Sequence, residues 1–402
     1  MNCVKKYTRP NPARVLLLLI AIAPLLAGCD TLQFYHQAVW GQWQLLHART
    51  SLSDIDAQQT HSPEVRERLQ LARQILQFGE DQMGLVADGR YTSYVHLQRK
   101  YVVWNVFASA PYELDGRQWC YPVVGCAPYR GYFSETAAQQ AAQRFAEKGL
   151  ETYVGGVPAY STLGWFEDPL LSTFILWPEP DLANLLLHEM SHSKVWVNGD
   201  VAFNESFAEF VGNRGSRAWL EHQGKEDAWQ AWIQRRGAWR SFRAFAVQAK
   251  NHLQTVYALP LDESARQHRK VDAIAEIQAC YQAHRQSLGG GRYDQLMAKR
   301  FNNAFLVSVS TYADWLPGFA ALFAIVDGQW PTFYLAVDEL AALRPEARAA
   351  ELTALSKPPQ ALIKPPQALT QQQIGERADD DNADEVHCQA FARHGAYGEA
   401  AG

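Results

Sequence analysis

Apolar and polar positions change rhythm along the chain, and the change divides it. From Ser53 to about Met83, Val65, Leu69, Ala72 and Leu76 share one stripe among Arg, Glu and Gln, the spacing of an amphipathic helix. Tyr101 to Phe107 is a β-branched and aromatic run and predicts a strand. Ser134-Glu135-Thr136-Ala137 opens an alanine-rich helix to about Lys148, with Gly149 as its stop. Over 151–176, Thr152-Tyr153-Val154, Tyr160-Ser161-Thr162 and Ser172-Thr173-Phe174-Ile175 predict short strands broken by Gly and Pro. After Pro180 the helical rhythm takes over. Asp181 is the expected N-cap of a helix through His192. Asn198-Gly199, between short β-branched runs, predicts a tight hairpin turn. Helices follow from about Asn204 through Trp219 and near 226–256, 263–286, 292–307, 315–326 and 331–344. The expected fold class is α+β in one domain over 29–355: a small mixed β-containing part over 29–180, then a mainly helical part over 181–355.

Both ends depart from that rhythm. Lys5, Lys6, Arg9 and Arg14 form a basic head before the apolar run Val15 to Leu26, too short for a comfortable span and suited to an export signal. Leu26-Ala27-Gly28-Cys29 resembles the bacterial lipobox, which implies a signal peptide over 1–28 and a lipidated Cys29. The chain is then expected in the bacterial cell envelope, anchored to a membrane and facing the periplasm. By the same resemblance, Asp30 favours the inner membrane. Lys357-Pro358-Pro359-Gln360-Ala361-Leu362 recurs as Lys364-Pro365-Pro366-Gln367-Ala368-Leu369, and the tail over 356–402 is expected to be extended or disordered.

Composition changes little: 48% hydrophobic and 20% charged residues are those of a globular protein. Without residues 1–28 the net charge moves from −5 to −9, because four cations and no acid leave with them. Nucleic acid is therefore not an expected partner. The cluster Arg235, Arg236, Trp239, Arg240 and Arg243 is read as a solvated helix face. Beyond Cys3 and Cys29, Cys120, Cys126, Cys280 and Cys388 remain. Cys120 and Cys126 flank a turn-rich loop without a nearby histidine and are expected to form a disulfide. The pairing of Cys280 and Cys388 stays open.

The chemistry concentrates at His188-Glu189-Met190-Ser191-His192. Two imidazoles one helical turn apart lie on one face and can reach a single Zn²⁺. Glu189 occupies a neighbouring sector, where it can act as a base without being a ligand. Asn204-Glu205-Ser206-Phe207-Ala208-Glu209 then offers two carboxylates on one face of the next helix. Glu205 is the expected third ligand, ahead of Glu209, which can accept the free N–H of a ligand histidine.

His-Glu-x-x-His followed by Asn-Glu-x-x-Ala resembles the gluzincin zinc metallopeptidases. With the signal and cysteine loop, the chain resembles a family of bacterial lipoproteins described as "putative aminopeptidases". The resemblance implies a zincin-like fold, zinc on His188, His192 and Glu205, and Glu189 as general base and acid. It implies Glu209 behind the ligands, and peptides or unfolded protein as substrates. The gap between His192 and Glu205 is shorter than that family's usual one. Zinc aminopeptidases of this clan also carry a glutamate for the substrate amine, which Gly155-Gly156-Val157-Pro158-Ala159 lacks; Glu167 and Asp168 are the alternatives. Tyr312, or else Tyr160, is the candidate donor to the oxyanion. Competing readings are a zinc amidase acting on cell-wall peptides and a non-catalytic envelope lipoprotein scaffold.

Overall fold

The run around Trp104 is a strand because it finds apolar partners on both faces. The computed structural model describes residues 30–121, 125–159, 167–310 and 315–356. Its first part comprises α1 (Asp30–His47), β1 (Thr50–Ser51), α2 (Leu52–Gln58), α3 (Pro63–Met83), β2 (Ser93–Val95), β3 (Val103–Ser109), β4 (Trp119–Tyr121), β5 (Gly125–Ala127), β6 (Tyr129–Tyr132), α4 (Glu135–Ala146), β7 (Glu151–Val157) and β8 (Leu170–Leu171). The second is helical among the described residues: α5 (Glu179–Ser191), α6 (Val201–His222), α7 (Glu226–Tyr257), α8 (Glu263–Ala283), α9 (Asp294–Lys299), α10 (Asn303–Ser310), α11 (Leu316–Ile325), α12 (Trp330–Ala342) and α13 (Pro345–Ser356). The fold is thus α+β, with small sheets first and helices after.

β3 is the middle strand of an antiparallel sheet ordered β6-β3-β7. Trp104, Val106 and Ala108 pack with Ala138, Ala141 and Phe145 of α4, whereas Phe107 meets Ala304 and Val307 of α10. That period of two, apolar on both sides, explains a strand without polar alternation. The outer edge of β7 is closed by side chains: Asn302 Nδ2 donates to Thr152 O at 3.0 Å, and Arg300 donates to Val154 O. β4 and β5 pair as a hairpin, and the expected Cys120–Cys126 disulfide joins them. Gly125, at φ +80°, lies against the Asn198–Gly199 turn, where a Cβ would meet Gly199 N at 2.5 Å.

Several elements differ from the sequence expectation, each for a local reason. The helix expected over 53–83 is two helices. Gln59 takes φ 51°, and α3 restarts at Pro63 under a Ser62 cap. Ser172–Ile175 is a turn rather than a strand, with Ile175 N bonded to Leu171 O at 3.0 Å. The helix near 292–307 splits into α9 and α10 because Arg300 and Asn302 turn toward β7. α5 begins at Glu179, and Asp181 accepts from Trp232 Nε1 at 2.7 Å instead of capping the helix. At Asn198–Gly199 the turn forms but the flanking strands do not. Asn204 takes the partner strand's place, its amide bonding Val197 N and O at 2.8 Å each.

The signal segment with Cys29, residues Tyr160 and Tyr312, Cys388 and the repeat-bearing tail lie outside the described residues. Among the described residues, no helix is long and apolar enough to cross a membrane.

Candidate metal centre

α5 is held on three sides before any chemistry is added. Leu182, Leu186, Leu187 and Met190 are fully buried in the main core, which fixes the rotation of the helix. Gly212 and Gly215 of α6 let the two helices cross closely. A Cβ on Gly212 would lie 2.7 Å from Asn184 O and 3.1 Å from His188 Cβ, and one on Gly215 would lie 2.7 Å from Leu187 Cδ1. Backbone oxygen cannot give way without moving α5. Gly212→Val is therefore expected to cost about 2–3 kcal/mol by overpacking; an unchanged thermal midpoint in the variant would show slack at the crossing.

The start of α6 is equally constrained. Asp200 caps it through Phe203 N at 3.0 Å and accepts from Arg348 Nη2 of α13 at 2.7 Å. Arg348 is buried; its Nε also donates to Asp200 Oδ2 at 3.0 Å, and its Nη1 reaches Ala341 O and Leu343 O at 3.0 and 2.9 Å. Asn204 tethers the preceding loop. The next residue, Glu205, thereby faces α5.

His188, His192 and Glu205 come together as expected. One ligand atom from each lies within 4.8 Å of the other two. His188 Nε2 is 3.5 Å from Glu205 Oε2, and His192 Nε2 is 3.9 Å from Glu205 Oε1. Donors on a tetrahedral zinc, at bond lengths of about 2.0–2.1 Å, stand roughly 3.4 Å apart. The set fits such an ion with small side-chain adjustments. Two imidazoles and one carboxylate are also the donor types a borderline cation takes.

The titratable groups bear on that fit. His192 is held neutral, its pKa pulled down to about 4 by burial above all, with Glu205 opposing and the charges of His188 and Arg90 assisting. A neutral ring is what a metal requires. Burial also lowers His188, yet the hydrogen bond and charge of Glu205 outweigh it and the pKa is raised. For Glu205 burial acts upward, but the His188 hydrogen bond and the charges of both rings bring it below its ordinary value. Glu189 is buried, and its carboxyl is pushed up to about 7. Burial is the largest cause; Glu205 and Asp168 add to it, while His188 and Arg90 oppose it.

Around Glu189 stand residues without a motif signal. Arg90 is buried, and its Nη2 ties Val86 O to Ser193 Oγ at 3.0 and 2.8 Å. Tyr91 is buried at φ 64°, with its N–H donating to Asp168 O at 2.7 Å. Burial first, then the charge of Glu189, raises its phenol well above the usual range. Of the two alternative acids, Asp168 is buried and acts on Glu189, whereas Glu167 stands exposed 3.8 Å from Arg49.

Glu209 lies one turn beyond Glu205, but its hydrogen bonds differ from expectation. It accepts from Arg243 Nη1 at 3.3 and 3.1 Å, and Arg236 Nη2 lies 3.9 Å away. Arg236 and Arg243 are thus turned inward, and only part of the expected solvated cationic face is one; Arg235 is half exposed. Together with His188, these residues border a cavity of about 370 Å³.

A family model described as "Putative aminopeptidase" matches residues 33–352. Comparison with curated proteins and with solved structures returns no match.

Proposed function

The chain belongs to the family described as "Putative aminopeptidase", and from that premise we propose that it is a zincin-type zinc aminopeptidase anchored in the bacterial envelope. The observation that carries the reading is the convergence of His188, His192 and Glu205, with Glu189 within electrostatic reach of them. These three would hold the ion. Bound there, zinc would supply Lewis acidity and would lower the pKa of a water at the site.

The remaining chemistry belongs to the chain. Glu189 would take the proton from the attacking water and return it to the departing amine. The burial of Glu189 keeps bulk water out of the exchange. Tyr312 is the proposed donor to the developing oxyanion. Peptides and unfolded protein segments are the expected substrates.

The anchoring reading has its own support. On α1, directly after Cys29, Leu32, Val39, Trp40 and Trp43 share one face and are 43–69% exposed. Trp40 and Trp43 stack at 4.8 Å between ring centroids. Such an apolar aromatic stripe suits a membrane interface beside a lipid anchor.

A mixed peptide library incubated with the purified protein tests the reading. Loss of cleavage with a chelator and recovery with Zn²⁺ are expected, with products shortened one residue at a time from the N-terminus. Internal cuts would replace the exopeptidase assignment with an endopeptidase one. Cleavage that survives complete metal removal would sink the metallopeptidase.

A further inference from the structure

The cavity beside His188 has a charge imbalance that holding a metal does not explain. Its walls are apolar where Leu185 of α5, Trp239 of α7 and Phe305 and Val309 around α10 face it. Its polar side carries two guanidiniums, Arg236 and Arg243, against the carboxylate of Glu209. Arg243 Nη1 is committed to both oxygens of Glu209, and Arg236 Nη1 donates to Asn213 Oδ1 at 3.1 Å. Arg243 Nη2 is different: it is buried and has no hydrogen-bond partner among the described residues, in a side chain only 10% exposed. A buried guanidinium nitrogen left without an acceptor is costly, and the two cations outnumber the one carboxylate beside them. Arg is also the side chain whose fork matches a carboxylate.

We propose that this cavity is a specificity site for a substrate carboxylate, received on its polar side by the guanidiniums of Arg236 and Arg243. The proposal rests on the peptidase reading, since His188 places the cavity next to the scissile bond. The substrate residue beside that bond would lay its aliphatic stem along Leu185, Trp239 and Phe305. Its carboxylate is either an acidic side chain or the free C-terminus of a very short peptide. The volume suits one residue and its flanking peptide group rather than a long segment.

Two arms separate the sources, and a third separates the proposal from its premise. In the first arm, Glu-containing and Gln-containing peptides with blocked C-termini are compared. In the second, neutral dipeptides are compared with their C-terminal amides. In at least one arm the carboxylate form is expected to have kcat/KM about tenfold or more higher. The third arm is calorimetric binding of free glutamate against glutamine, which needs no turnover. Arg243→Met is expected to reduce each preference to near unity. Arg243→Lys, which keeps a charge for Glu209 but loses the fork, should leave only part of it. Equal use of carboxylate and amide forms by the wild type, with equal binding of glutamate and glutamine, would overturn the proposal. So would a preference unchanged in Arg243→Met. Absence of cleavage with selective glutamate binding would refute the peptidase reading while leaving the anion site standing.

Discussion

Replacing Glu189 by Gln is expected to lower kcat by about 10²–10⁴-fold while metal content and KM hold steady. Gln has the same shape but cannot accept the proton from the attacking water, so the loss falls on the chemical step. The fold should tolerate the change. Gln keeps the volume of the buried Glu189 side chain, so the packing around it is undisturbed. Steady-state kinetics with metal analysis and thermal melting on the same preparation check this. A variant that turns over at the wild-type rate would remove Glu189 from the mechanism, and one that has lost its metal would make it a structural residue.

Glu205→Ala should act on a different quantity. It removes one of three donors and leaves His188 without the carboxylate that its Nε2 faces at 3.5 Å. Zinc affinity should fall by more than the roughly 10–100-fold that an outer-shell loss costs. Glu209→Gln provides the contrast. Its carboxylate is engaged with Arg243 and Arg236, so zinc affinity should change little. Stability should drop instead, because two largely buried guanidiniums lose their counter-charge. Competition with a chromophoric chelator and thermal melting together read both variants. A larger metal loss in Glu209→Gln than in Glu205→Ala would exchange the two roles.

The site was legible in the chain where its parts are local. His188, Glu189 and His192 sit at helical spacing, and Glu205 comes six positions after Gly199 of the Asn198-Gly199 turn. What positions them is less local. Arg348 secures the cap of α6 from 148 residues away, and no periodicity announces such a pair. Arg90 and Tyr91 reach Glu189 from a loop whose sequence carries no catalytic pattern. Arg236 and Arg243 looked like surface residues because a helical stripe of cations usually is one. Their inward turn depends on Glu209, on another helix. Asn204 shows a subtler failure. Asn198-Gly199 does specify a turn, but Asn204 supplies the hydrogen bonds that a second strand would have given, and the hairpin is not needed.

The most direct test of the central claim is the zinc stoichiometry of the purified wild-type chain after metal removal, reloading and dialysis, measured beside Glu205→Ala. The structure predicts about one tightly held ion per wild-type chain and a loss of most of it in the variant. No retained zinc in the wild type, or equal retention in both proteins, would contradict a metal centre built from His188, His192 and Glu205.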